Sequence, residues 1–176
     1  MKKENASLKY KILIVSLSII FISFAVWNIA WFSFVRIVYQ PFIDAVGGYN
    51  ENGVCTTVSS DNYRYTVFKP SYLSFTSNLS IHENIPLNEE NNSCKCSLII
   101  WPKPFGSYQF GVSLSLPEKA DNDDNAFSFQ SYGYMLDENM KPIESLNSEE
   151  KAILEDNKEI ISLLYEKAHN MWGIGD

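Results

Sequence analysis

KILIVSLSIIFISFAVWNIAWFSFVR, residues 11–36, carries twenty-four uncharged residues between Lys11 and Arg36. As a helix the uncharged run, residues 12–35, reaches about 36 Å, more than the roughly 30 Å of a bilayer's hydrocarbon core. Fifteen of its residues are Ile, Leu, Val or Phe. At about −0.3 to −0.6 kcal/mol each, they favour insertion by about −4 to −9 kcal/mol as an upper limit. Ser16, Ser18, Ser23, Asn28 and Ser33 oppose this, but none brings a charge. The run therefore predicts a single transmembrane signal anchor, and everything after it follows from that prediction.

Cations set the expected direction. Lys2, Lys3, Lys9 and Lys11 precede the run, whereas only Arg36 follows it before Arg64. The positive-inside rule then predicts a cytoplasmic tail over 1–11 and an extracytoplasmic C-terminus, in the cell membrane. Trp27 and Trp31, with Tyr39 beyond them, read as an interfacial aromatic belt at the outer end. Asn28 falls at the same level and reads as headgroup-hydrated. A cleaved signal peptide would have a shorter apolar region, about 7–15 residues, and a small-residue cleavage site. Residues 31–36, Trp-Phe-Ser-Phe-Val-Arg, offer no such site, and no Cys follows for lipid attachment.

Beyond the anchor the chain holds nine Lys and Arg against twenty Asp and Glu, a net charge of −11. Such a balance disfavours nucleic acid and anionic lipid headgroups as partners of the bulk domain. Three cysteines lie there. In an oxidising compartment Cys55 is expected to pair with Cys94 or Cys96, because alternate residues of one strand, Cys94 and Cys96, are poorly placed for a bridge.

Residues 36–53 read as a juxtamembrane helix or linker, kinked at Pro41 and ending in the turn Gly47-Gly48 to Gly53. The folded domain is expected over 54–176. Period-two alternation marks strands: Leu73, Phe75, Leu79 and Ile81 on one face; Tyr108, Phe110, Val112, Leu114 and Leu116 on another. Residues 63–68, 94–101 and 126–136 are further strands. In the last of these, Phe127 and Phe129 differ in parity from Tyr132, Tyr134 and Leu136, which predicts a bulge near Ser131. Short connections without intervening helices favour an antiparallel meander.

Asn147 and Glu150 make a capping-box pattern at the start of a C-terminal helix that Gly173 ends. Ile153, Ile160, Leu164, Ala168 and Met171 form its apolar stripe, widened by Ile161, Tyr165 and Trp172. A sheet with one apolar face and a helix with one apolar stripe bury each other. The predicted fold class is α+β: one transmembrane helix, a meander of about five strands, and a packed C-terminal amphipathic helix.

Candidate chemistry is sparse. Trp101, Phe105 and Tyr108, around Pro102 and Pro104, read as a stiff aromatic loop suited to stacking on sugars or filling a partner's pocket. Asp121, Asp123 and Asn125 resemble the start of a calcium loop. Ala126 replaces its turn-making Gly, however, and Tyr132 its bidentate Glu. His82 and His169 are the histidines that a hydrolase would have to use, but no nucleophile motif frames either. No cofactor is implied. The chain resembles only the general plan of small signal-anchored extracytoplasmic proteins, which implies no activity. The expected role is a tethered, non-enzymatic binding or accessory module with a protein or envelope-polymer partner. A membrane-anchored hydrolase and a weak cation-responsive sensor are the alternatives.

Overall fold

The computed structural model describes residues 2–47, 49–51, 55–83, 95–103, 106–119 and 127–175. Its first element is α1 (Lys2–Phe34), one helix through the apolar run. Within Leu8–Val46 an 18-residue window has mean hydropathy 2.4, and none of that window is buried by the rest of the chain. Among the described residues, one helix is long and apolar enough to cross a membrane.

The helix does not stop at the end of the apolar run. A π-helical turn (Val35–Tyr39) follows, and α2 (Gln40–Val46) continues from it, with Pro41 in its first turn. The Gln40 amide donates to the Val35 carbonyl, five residues back. This wider turn resets the hydrogen-bond pattern, so that Pro41 begins a new helical segment where its missing N–H costs little. Gly47, at φ 58°, closes α2 in the left-handed conformation.

A seven-stranded antiparallel meander comes next, in sequential order. It consists of six full strands, β2 (Cys55–Ser60), β3 (Tyr63–Phe68), β4 (Leu79–Glu83), β5 (Lys95–Pro102), β6 (Tyr108–Lys119) and β7 (Phe127–Leu136), with a three-residue edge strand β1 (Tyr49–Glu51). The meander is thus longer than the five strands expected, because β1 and β2 fall where the sequence reads as linker and domain entry. The predicted bulge near Ser131 is absent. Pairing runs unbroken from Phe110↔Leu136 to Lys119↔Phe127, which turns Phe129 outward. There it lies 40% exposed, with the Lys95 ammonium 5.9 Å from its ring centre.

Leu73 and Phe75 are not strand residues either. β4 begins only at Leu79, and residues 69–78 form a loop. Their alternation has a different cause: Phe75 packs edge-on against Trp27 and Phe34 of α1, at ring-centre distances of 5.0 and 5.3 Å.

The C-terminal helix is a pair, α3 (Ser148–Asp156) and α4 (Lys158–Trp172), meeting at Asn157. The capping box at Asn147 and Glu150 forms with both bonds at 2.9 Å, and Gly173 caps α4 at φ 64°. Ile174, beyond that cap, is fully buried.

One face of the sheet carries the core. Val67, Leu79, Ile81, Leu98, Ile100, Phe110, Val112 and Leu114 all point to it and are at most 2% exposed. Ile161, Leu164, Ala168 and Trp172 of α4 cover part of it, and Tyr39, Phe42 and Val46 join the same core. The folded unit therefore begins at Tyr39, inside the segment that reads as a juxtamembrane helix or linker and is helical to Val46, rather than near Val54. The apolar helix runs straight into the domain's interior.

Candidate functional site

Register fixes which side chains share the sheet's other face. One row crosses six strands: Ser59, Arg64, His82, Ser97, Ser113 and Gly133 are successive partners. The next row is Thr57, Thr66, Ser80, Ile99, Gly111 and Met135. Hydroxyls meet across strands, with Thr57 donating to Thr66 at 3.4 Å and Ser115 Oγ lying 3.2 Å from Ser131 Oγ. The result is a sheet face rich in hydroxyls. Arg64 and Lys95 stand on it within a strongly acidic domain.

His82 is part-buried, and desolvation followed by the Arg64 guanidinium pushes its pKa below the ordinary histidine value. At neutral pH it is therefore an uncharged donor and acceptor. Its charged neighbour is a cation, whereas a catalytic general base is oriented by a carboxylate. His169 sits elsewhere, on the last turn of α4, with Nδ1 2.8 Å from the Ile174 carbonyl. The fold sets the two histidines apart, on the outer sheet face and on the helix terminus.

The predicted aromatic loop divides. Trp101 lies on β5 rather than in the connection, half-buried on the outer face, opposite Gln109. Its ring occupies the space over Gly111, where a Cβ would come within 2.8 Å of Cζ3 and 2.9 Å of Cη2. Tyr108 opens β6 with the opposite parity and packs toward Phe42 and Phe110, at 6.4 and 6.3 Å between ring centres. Trp101 and Tyr108 therefore serve opposite faces and do not form one recognition cluster. Phe105 lies outside the described residues.

Asp121, Asp123 and Asn125 also lie outside them. Among the described residues, no three His, Cys, Asp or Glu side chains converge as a metal site would require. Cys55 on β2 and Cys96 on β5 are three strand spacings apart, about 14 Å. They also point to opposite faces: Cys55 pairs with outward Phe68, while Cys96 is buried in the core. A Cys55–Cys96 bridge, one of the two expected pairings, is out of reach. Cys94, the other candidate partner, falls outside the described residues.

The sequence gives no hint of a hollow of about 760 Å³ between residues 139–146 and the α3–α4 pair. Lys141, Lys151 and Lys158 line it, with Leu154 and Ile161 at its base and a Glu155–Lys158 ion pair of 3.0 Å on its rim. Asp137 braces the loop beside it by accepting from the Lys141 and Asn139 amides at 2.8 and 2.9 Å. Those bonds hold its carboxyl below the usual range, that to Lys141 contributing most.

Residues 69–78 dock on α1. Trp27 Nε1 donates to the Tyr72 carbonyl at 3.1 Å, and Trp31 Nε1 to the Ser71 carbonyl at 2.9 Å. The Tyr39 hydroxyl donates to the Ser77 carbonyl and accepts from the Ser77 amide, both at 3.0 Å. Burial raises the Tyr39 pKa. Asn28 satisfies itself, donating to the Phe24 carbonyl one turn back at 2.7 Å. Comparisons of the chain with protein-family models, with curated proteins and with solved structures return no match.

Proposed function

We propose that this chain is a single-pass membrane protein whose α+β domain stands outside the cytoplasm as a non-catalytic binding module. Its recognition face is the open side of the sheet around Arg64, His82 and Trp101. The lysine-rich N-terminus and the uncovered apolar helix support the anchoring and its direction. The direct passage of that helix into the core supports a domain held at a fixed attitude above the membrane.

The observation that carries the binding reading is the composition of the outer face. It presents a row of hydroxyls in which Arg64 and His82 stand second and third of six, and a half-buried indole two rows further along β5, on a domain otherwise dominated by acids. Serine and threonine hydroxyls with a cation and a flat aromatic suit a partner bearing hydroxyls and anionic groups. An envelope polymer has that chemistry. The charge neighbouring His82 is unsuited to base catalysis, so the surface reads as recognition rather than turnover.

The test is co-sedimentation of the detergent-solubilised full chain with isolated envelope-polymer sacculi. Removing an interface anchor that is worth about 1.4 kcal/mol lowers affinity about tenfold. Trp101→Ala and Arg64→Gln are each expected to reduce binding by about that factor. Sedimentation that is absent in wild type, or unchanged in both variants, contradicts the proposal.

A further inference from the structure

We infer that the loop of residues 69–78 is a second membrane element, which dips beside the anchor helix into the outer leaflet and contacts lipid through Leu73 and Tyr72. This rests on the reading of residues 12–35 as a membrane span. Four features of the loop point to it.

The first is depth. Counted from residue 12, about 30 Å of helix ends at Trp31, and Trp27 lies about 6 Å below that level. The carbonyls of Ser71 and Tyr72 are bonded to those two indoles. The loop is therefore held at the boundary between hydrocarbon and headgroups, the level that Trp side chains prefer. The second is composition. Residues 70–81 contain no Asp, Glu, Lys or Arg, in a domain where charges are frequent, and Lys69 precedes them. A lysine at that point can reach the headgroups from a buried stem.

The third is exposure. Leu73 is 82% exposed and Tyr72 38%, on the side of α1 that Trp27 and Trp31 mark, where Phe24 and Ile20, one and two turns before Trp27, are themselves 59% and 64% exposed. A single exposed leucine means little. Here it continues the uncovered apolar surface of α1. The fourth is backbone chemistry. Irregular backbone is tolerated at membrane depth only where protein satisfies its polar groups. The Ser71, Tyr72 and Ser77 carbonyls accept from Trp31, Trp27 and Tyr39, and the Ser74, Thr76 and Ser77 amides are bonded within the loop or to Tyr39. The indole N–H groups, which otherwise need water, are satisfied by the same bonds.

Sheet topology agrees. The β3–β4, β5–β6 and β7–α3 connections leave from one end of the meander, and the loop fixes that end as the one nearest the membrane. The β2–β3 turn at Asp61 and Asn62 lies at the other, near Asn170 of α4.

The test places the photocrosslinking residue benzoylphenylalanine singly at positions 21, 73 and 170 of the full chain, in nanodiscs of phosphatidylglycerol and phosphatidylethanolamine. Mass spectrometry reads lipid adducts after illumination. Position 73 is expected to yield lipid adducts within about threefold of position 21, which lies mid-anchor, and position 170 none. Adducts at 21 but not at 73 overturn the inference and leave the anchor standing. Loss of adducts at both positions overturns the anchor and the inference together. Protein adducts at 73, to a second copy or to the scaffold, without lipid, also overturn it. Leu73→Asp keeps the fold because the side chain is exposed, and in native membranes it should raise proteolysis of the loop several-fold; unchanged cleavage counts against lipid burial.

Discussion

Trp101 and Gly111 make a single unit on the outer sheet face, because the indole fills the space that a side chain at position 111 would take. Gly111→Ala is expected to cost about 1–3 kcal/mol through displacement of the ring. In a Trp101→Ala background the same change should be neutral or stabilising by about 0.5–1 kcal/mol, since alanine restricts the unfolded chain. Denaturant melts of the four variants give the coupling directly; equal costs in both backgrounds would show that the indole does not rest there. His82 makes a second residue-scale prediction. Its folded pKa lies below the ordinary value, so protons bind more readily to the unfolded chain. The penalty is absent above pH 7 and grows as pH falls through 6.5, the ordinary histidine value. Wild type should lose stability relative to His82→Gln between pH 7.5 and 5, as read by thermal melts at each pH. Parallel melting curves across that range would contradict the burial beside Arg64. None of these pairings was legible from sequence. Trp101 and Tyr108 looked like one cluster because a seven-residue separation through two prolines hides the fact that they have opposite parity on paired strands.

At the scale of elements, hydrophobic periodicity located β5, β6, β7 and the C-terminal helical region closely, because each is long enough for burial on one face to show. It failed where local pattern and tertiary use diverge. Leu73 and Phe75 alternate as strand residues do, yet they belong to a loop whose apolar side chains sit against or beside α1. The outward turn of Phe129 likewise needs no bulge, because the sheet's far face tolerates a half-exposed ring under Lys95. The largest departure is the segment 36–46. The segment reads as a helix kinked at Pro41 or a linker, and what the sequence reading leaves out is that Tyr39, Phe42 and Val46, recurring at helical spacing, are core residues. Phe42 is only 7% exposed. Phe42→Ala is therefore expected to destabilise the domain by about 3–5 kcal/mol in micelles, as buried Phe truncations do. A linker residue would cost almost nothing, so a change below about 0.5 kcal/mol would return this segment to the linker class.

For the whole molecule, the α+β plan and the one apolar helix are both readable from composition and period. How they join is not, because a π-helical turn leaves no mark in hydropathy. The join has a functional consequence. With α1 continuing into the core and residues 69–78 strapped to Trp27 and Trp31, the sheet is fixed relative to the helix axis. If the open sheet face is the proposed binding face, it would be held at a defined height and angle. That arrangement has meaning only if the helix stays in the membrane with the domain outside. The direct measurement adds protease to spheroplasts expressing the chain with distinct epitopes at its two ends, followed by alkaline washing of the membranes. The account predicts loss of the C-terminal epitope, survival of the N-terminal one, and retention of the helix with the washed membranes. Survival of both epitopes, or a soluble domain whose first residue lies beyond 36, would contradict it.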